Sequence, residues 1–178
     1  MVNSLDTTVR DHLFDSVEVN YNTYKAHVEN ADNGFVKKSE GDGFGIEVMY
    51  RPISYEALLS MEAFDKNLYK ASHKKKSQVL SFSVKRIDKR ASVFGKQPLY
   101  ALHIQDDGNG TKLEPVYFIP DHKLGQTEVF YIVFDRKAVS EIAGDFLHLV
   151  WTDQYQTMDL YYTKRILKKD FILIQDVD

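Results

Sequence analysis

There is no cysteine anywhere in the 178 residues. A disulfide framework, a thiolate nucleophile and any zinc site built on cysteine are therefore excluded. Proline is scarce, with four in the chain. No proline-rich or serine-rich run separates two halves, so the sequence carries no sign of an interdomain linker. No stretch comes near the roughly 18 successive apolar residues of a membrane-spanning helix. The first residues, MVNSLDTTVRDHL, lack a basic segment leading into an apolar run and do not read as a signal peptide.

Aromatic residues, by contrast, are plentiful. There are 11 Tyr, 11 Phe and one Trp, within a chain that is 43% hydrophobic and 28% charged. Aromatic richness favours strands over helices. A chain of this length buries roughly 70% of its unfolded surface, so a core needs no covalent or metal staple.

Alternation is the dominant pattern. Ile46, Val48 and Tyr50 alternate with Glu47, Met49 and Arg51, and Leu80, Phe82 and Val84 alternate with Ser81, Ser83 and Lys85. Each run predicts a strand with one buried and one wet face. VFYIVF (129–134), FILI (171–174) and FLHLVW (146–151) are apolar almost throughout, which predicts cover on both faces. Strands are expected at 46–51, 79–87, 99–105, 113–119, 128–135, 146–152, 158–163 and 170–174. The loop-like stretch 29–45 adds a short strand near Phe35–Lys37. Pro52 ends the first of the eight strands, and a helix over 54–65 follows, with Ser54 as N-cap and an Ala57, Leu58, Met61, Phe64 stripe to lay on the sheet. Leu5, Val9, Leu13 and Val17 recur every four residues and suggest an N-terminal helix within 5–28. The expected fold is mainly β: an antiparallel sandwich of about seven or eight strands with one packed helix. Residues 1–30 are read as a partly helical or tethering segment and 31–178 as a single β-rich domain.

The segment DDGNG (106–110) is the most explicit chemical motif. With Gly110 as the invariant glycine of a calcium loop, the first ligand position is Gln105 and the twelfth is Val116. Both end carboxylates are missing, and starting at Asp106 puts glycines at two ligand positions. The segment is read instead as a turn between strands. Asn109-Gly110-Thr111 also spells a glycosylation sequon, of consequence only in a eukaryotic secretory pathway. The carboxylate pairs Asp106/Asp107 and Glu40/Asp42 lie among glycines and polar residues and are read as solvated.

None of the six histidines lies within four residues of another, so no metal-ligand pair exists in sequence. His103 and His148 are mid-strand and are read as half-buried, hydrogen-bonded side chains. GxSxG, SxxK and P-loop motifs are absent. No catalytic residue and no cofactor is implied.

Two groups remain as binding candidates. Trp151, Tyr155, Tyr161 and Tyr162 cluster in WTDQYQTMDLYY, where adjacent Tyr161 and Tyr162 must point to opposite faces. The other group is basic. Net charge is −3, yet residues 70–96 hold nine Lys/Arg against one acid, leaving 14 bases and 25 acids elsewhere. Lys74, Lys75 and Lys76 lead that block. Few aromatics interleave with it, which argues against nucleic acid.

The run GFGIEVMYRPISYEALLSMEAF, followed by LSFSVKRID, resembles a pattern in a group of uncharacterised surface lipoproteins of the Bacteroidetes. There a strand ends in an aromatic-x-Pro segment, a short helix follows, and an alternating strand comes next. EPVYFIPD (114–121) and VFYIVFD are similar to later parts of the pattern, so the resemblance covers about residues 30–170. The chain departs from the group in having neither a signal nor a lipid-bearing cysteine. The resemblance implies an extracytoplasmic domain, at the periplasm or outer-membrane surface, whose lipid anchor lies outside this sequence. It supplies no catalytic residues.

The function expected from these readings is a non-enzymatic, extracytoplasmic binding or assembly module with a protein or glycan partner. The alternatives are a small hydrolase or glycan-active enzyme with a spatially assembled site, and an anion-binding domain that uses the basic block.

Overall fold

A computed structural model describes residues 25–41, 43–59, 66–88, 101–124, 127–153 and 157–168. Nine strands follow one another: β1 (Val36–Gly41), β2 (Phe44–Arg51), β3 (Val79–Asp88), β4 (Ala101–Gln105), β5 (Lys112–Leu113), β6 (Tyr117–Leu124), β7 (Thr127–Asp135), β8 (Phe146–Thr152) and β9 (Thr157–Thr163). They form two antiparallel sheets. One has five strands in the order β1-β2-β3-β7-β6, the other four in the order β5-β4-β8-β9. The sandwich-like, mainly β architecture expected from the alternation is what the chain adopts.

The strand patterns explain the layering. In β2, Phe44, Ile46, Val48 and Tyr50 are buried in turn, and in β9 Met158, Leu160 and Tyr162 are. These inner rows meet between the sheets. Phe82 sits at the centre, its ring 5.6 Å from Tyr50, 6.0 Å from Phe134 and 5.7 Å from Tyr162 of the opposite sheet. Trp151 packs against Phe118 and Phe130 in the same way, at 6.3 and 5.8 Å. Burying each such ring contributes about 2–3 kcal/mol. The Tyr162 hydroxyl also donates to the Val48 carbonyl at 2.6 Å, tying β9 to β2.

The inward row of β3 ends in a charge. Arg86 follows Leu80, Phe82 and Val84 into the core and lies 3.3 Å from both Glu128 and Asp153. The Trp151 indole N–H donates to the same Asp153 carboxylate at 3.3 Å. A buried guanidinium needs such partners, since an unpaired one would cost several kcal/mol.

Three expectations change in detail. The strand expected at 113–119 is two strands in different sheets, because Pro115 interrupts the ladder and the chain crosses over there. The helix after Pro52, α1 (Ile53–Leu59), starts one residue before Ser54, and 60–65 fall outside the described residues. A second helix, α2 (Lys66–Lys76), carries the start of the basic block, where no helix was expected. Two short helices complete the chain: α3 (Arg136–Glu141), capped by the Asp135 carboxylate on the Ala138 N–H at 2.8 Å, and α4 (Arg165–Lys168). Residues 25–29 are helical; the rest of the expected N-terminal helix and the strand at 170–174 lie outside the described residues.

Candidate functional site

The outer face of the four-stranded sheet carries the most concentrated exposed chemistry. Register builds it. Gln105, His148 and Tyr161 stand side by side across β4, β8 and β9, as do His103, Val150 and Asp159 one row along. Alternation in β9 sends Asp159 and Tyr161 outward because Met158, Leu160 and Tyr162 fill the core. His148 breaks the apolar run of β8 for the same reason, between inward-facing Leu147 and Leu149.

His148 is held at both ring nitrogens. Its Nδ1 is 2.7 Å from Oδ1 of Asp107, and its Nε2 is 2.7 Å from Oδ1 of Asp159. Both contacts are hydrogen bonds only when both nitrogens carry protons, because a carboxylate accepts and does not donate. When both bonds are made, the ring is an imidazolium. Partial burial on the sheet lowers its pKa, but the hydrogen bonds and charges of Asp107 and Asp159 outweigh that, and the net shift is upward. Neighbouring His103 moves the other way, through burial first and then the charge of Lys112.

Tyr161 lies flat on the imidazole, with ring centroids 4.4 Å apart and planes at 19°. It remains 49% exposed. Among the described residues, β9 is an edge strand of its sheet. Phe146, also exposed, sits diagonal to Tyr161 across the β8–β9 ladder. The two carboxylates are open as well: the side chains of Asp107 and Asp159 are 63% and 56% exposed, and each uses one oxygen on His148.

Asp107 comes from DDGNG, which is the β4–β5 turn. The Asp106 N–H donates to the Thr111 carbonyl and the Gly110 N–H to the Asp106 carbonyl, both at 2.8 Å. Gly110 has φ +74°, a backbone state that glycine adopts without strain. Asp106 is not solvated as the sequence suggests. It is buried, and its Oδ1 accepts from the Gly108 N–H at 2.9 Å, which shapes the turn and delivers Asp107 to His148.

The expected site residues separate. Trp151 and Tyr162 are fully buried core residues and present no surface to a ligand. The cause is parity: both sit on the inward row of their strands. Tyr161 is exposed, and Tyr155 lies outside the described residues. Lys74 and Lys75 on α2 are exposed, whereas Lys76 turns back to Glu56 at 3.4 Å. The basic block is not one surface, because Arg86 points into the core. Sequence reasoning missed Asp107, His148 and Asp159 as a group. The signals available were the lone histidine in FLHLVW and the outward parity of Asp159 and Tyr161.

The clamp limits the chemistry. An imidazolium donating from both nitrogens has no lone pair to serve as a general base or metal ligand. Among the described residues, no group of three or more His, Asp or Glu is disposed to hold a metal ion. No described helix is long and apolar enough to cross a membrane. What the arrangement can do is stack a partner on an aromatic ring and accept hydrogen bonds from it. No family model, curated protein or solved structure matches the chain.

Proposed function

We propose that this protein is a non-enzymatic binding module that engages its partner through the outer face of the four-stranded sheet. One observation carries the reading: an exposed tyrosine is stacked on a histidine whose two nitrogens are locked between exposed carboxylates. Such an array is pre-ordered, so a partner pays little entropy to fix it. Aromatic rings flanked by hydrogen-bonding groups are the usual anchors of binding surfaces. The hydrolase alternative draws no support from the clamp while His148 donates from both nitrogens, since the ring then has no lone pair for base catalysis. The anion-binding alternative is weakened by the dispersal of the basic block. An extracytoplasmic address and a lipid anchor belong to the proposal through the lipoprotein resemblance alone.

The test is a binding screen over protein and glycan arrays with two surface variants. Tyr161→Ala is expected to abolish the strongest signals. Tyr117→Ala, at an equally exposed tyrosine on β6 of the other sheet, is expected to leave them intact. The opposite ranking, or an array on which the wild type gives no signal, contradicts the assignment of this face.

A further inference from the structure

We infer that Asn109 is a site of spontaneous deamidation, and that its isoaspartyl product remodels the turn that carries Asp107 to His148. The reaction needs no partner, so it stands or falls independently of the binding face.

The chain has two Asn-Gly pairs, Asn33-Gly34 and Asn109-Gly110. Asparagine is a thermolabile residue, and a following glycine, with no Cβ, hinders attack by its backbone nitrogen least. The fold treats the two pairs differently. Asn33 ends a 3-10 helix (Ala31–Asn33) and is half-buried. Its Nδ2, the leaving group, donates to the His27 carbonyl at 2.8 Å. Turning that amide into a carboxylate loses the hydrogen bond and sets two acceptors against each other. Asn109 is exposed in the β4–β5 turn. There the oxygen is held: Oδ1 accepts from the Thr111 N–H at 2.8 Å. That donor stabilises the charge that builds on the oxygen as the amide is attacked. It also suits the carboxylate of the product. Other features do not separate the pairs. Both attacking nitrogens donate to a carbonyl, Gly110 to Asp106 at 2.8 Å and Gly34 to Ala31 at 3.1 Å. Each asparagine also has an acid close by in sequence, Asp107 or Asp32.

The Gly110 nitrogen gives its proton to hydroxide and bonds to Cγ of Asn109. The Cγ–Nδ2 bond breaks, and the nitrogen takes a proton from water and leaves as ammonia, which restores the hydroxide. A water molecule then opens the imide ring. Cleavage at Cγ leaves an aspartyl residue with the backbone unchanged. Cleavage at the Asn109 backbone carbonyl routes the chain through Cγ and adds a methylene to the backbone. That methylene lies inside the loop closed by the Asp106–Thr111 and Gly110–Asp106 hydrogen bonds. The isoaspartyl turn therefore loses its register, and Asp107 leaves its 2.7 Å contact with His148. The aspartyl product keeps the Thr111 contact, the turn and the clamp.

The experiment ages the full chain at mildly alkaline pH, both folded and in urea, and maps it by mass spectrometry against an unaged control. In the folded protein the mass increase of an amide turned acid is expected at Asn109 about tenfold faster than at Asn33, the worth of a hydrogen bond in a barrier. In urea the two sites should react at comparable rates, because unfolding removes both environments. Equal folded rates, a faster Asn33, or no reaction at Asn109 in the folded chain overturns the site. Isoaspartate in the same peptide without a mass increase also overturns it, since that marks isomerisation at Asp107-Gly108 instead. The consequence is read on His148. Aged protein is separated by its extra negative charge, and the His148 midpoint is followed by NMR. The isoaspartyl form is expected to titrate below the wild type. Asn109→Asp, which makes only the aspartyl form, should not. A wild-type midpoint in the isoaspartyl form, or an equal fall in Asn109→Asp, overturns the link between the turn backbone and the clamp.

Discussion

Two clusters in this molecule use the same side-chain types to opposite ends. On the outer face of the five-stranded sheet, Glu56 of α1 gathers Arg51 in an ion pair, Lys76 at 3.4 Å and the Tyr131 hydroxyl at 3.2 Å. The Arg51 guanidinium lies over the rings of both Tyr131 and Tyr55. On the outer face of the four-stranded sheet, His148 gathers Asp107, Asp159 and Tyr161. Both are a charged hub with opposite charges and a tyrosine. The Glu56 side chain is 6% exposed, because α1 and α2 close over it. The carboxylates around His148 are more than half exposed. The closed cluster fastens helices to a sheet. The open one leaves acceptors and a ring facing solvent. Burial, more than composition, separates a structural network from a surface that can recognise something.

The sharpest way to break the contrast is to remove the hub of the closed cluster. Glu56→Gln leaves Arg51 and Lys76 without their counter-charge and should lower unfolding free energy by about 3 kcal/mol in urea titration. Arg51 and Lys76 retain some access to water, which keeps the loss at the lower end of the range for buried pairs. A loss below about 1 kcal/mol would show that Glu56 behaves as a surface carboxylate. Tyr131→Phe removes the hydroxyl shared between Glu56 and Ser81, which lies 3.1 Å away, and should cost about 1 kcal/mol in the same assay.

The open cluster should respond to pH and hardly to deletion. The folded-state pKa of His148 is raised above its ordinary 6.5. Its stabilising contribution is therefore fully present below about pH 6.5 and is lost as pH climbs through the folded value. Its partners are well exposed, so the contribution should be under about 1 kcal/mol. His103, with a lowered pKa, contributes with the opposite sign. The difference between wild type and His148→Gln across the pH range isolates the effect; parallel curves for the two proteins would refute it. Smallest of all, Tyr161→Ala should change stability by no more than about 0.5 kcal/mol in thermal unfolding, as expected of an exposed side chain whose role is binding.

The two clusters also differ in how far the sequence reveals them. Period-2 alternation and short apolar runs are local signals, so β2, β3, β7, β8 and β9 can be read within a residue or two of their ends. The same parity separates exposed Tyr161 from buried Tyr162. It equally sends Trp151 inward, which composition alone does not say. Helix α2 escapes because KNLYKASHKKK has no apolar stripe at helical spacing; it is held against α1 through contacts such as Lys76 with Glu56. The clamp escapes because its members are far apart in the chain. His148 is 41 residues from Asp107 and 11 from Asp159, and only the β4–β8–β9 register unites them. DDGNG is legible as a turn from its Asn-Gly pair. That the turn presents a carboxylate to a histidine on another strand is a property of the sheet.

The recognition face is built on His148 held between two solvent-exposed carboxylates. Nitrogen-15 NMR of the His148 side chain across pH tests this most directly. The prediction is a midpoint above the ordinary 6.5 that falls in Asp107→Asn and again in Asp159→Asn. A midpoint at or below 6.5, or one indifferent to both substitutions, would contradict the clamp and the binding face built on it.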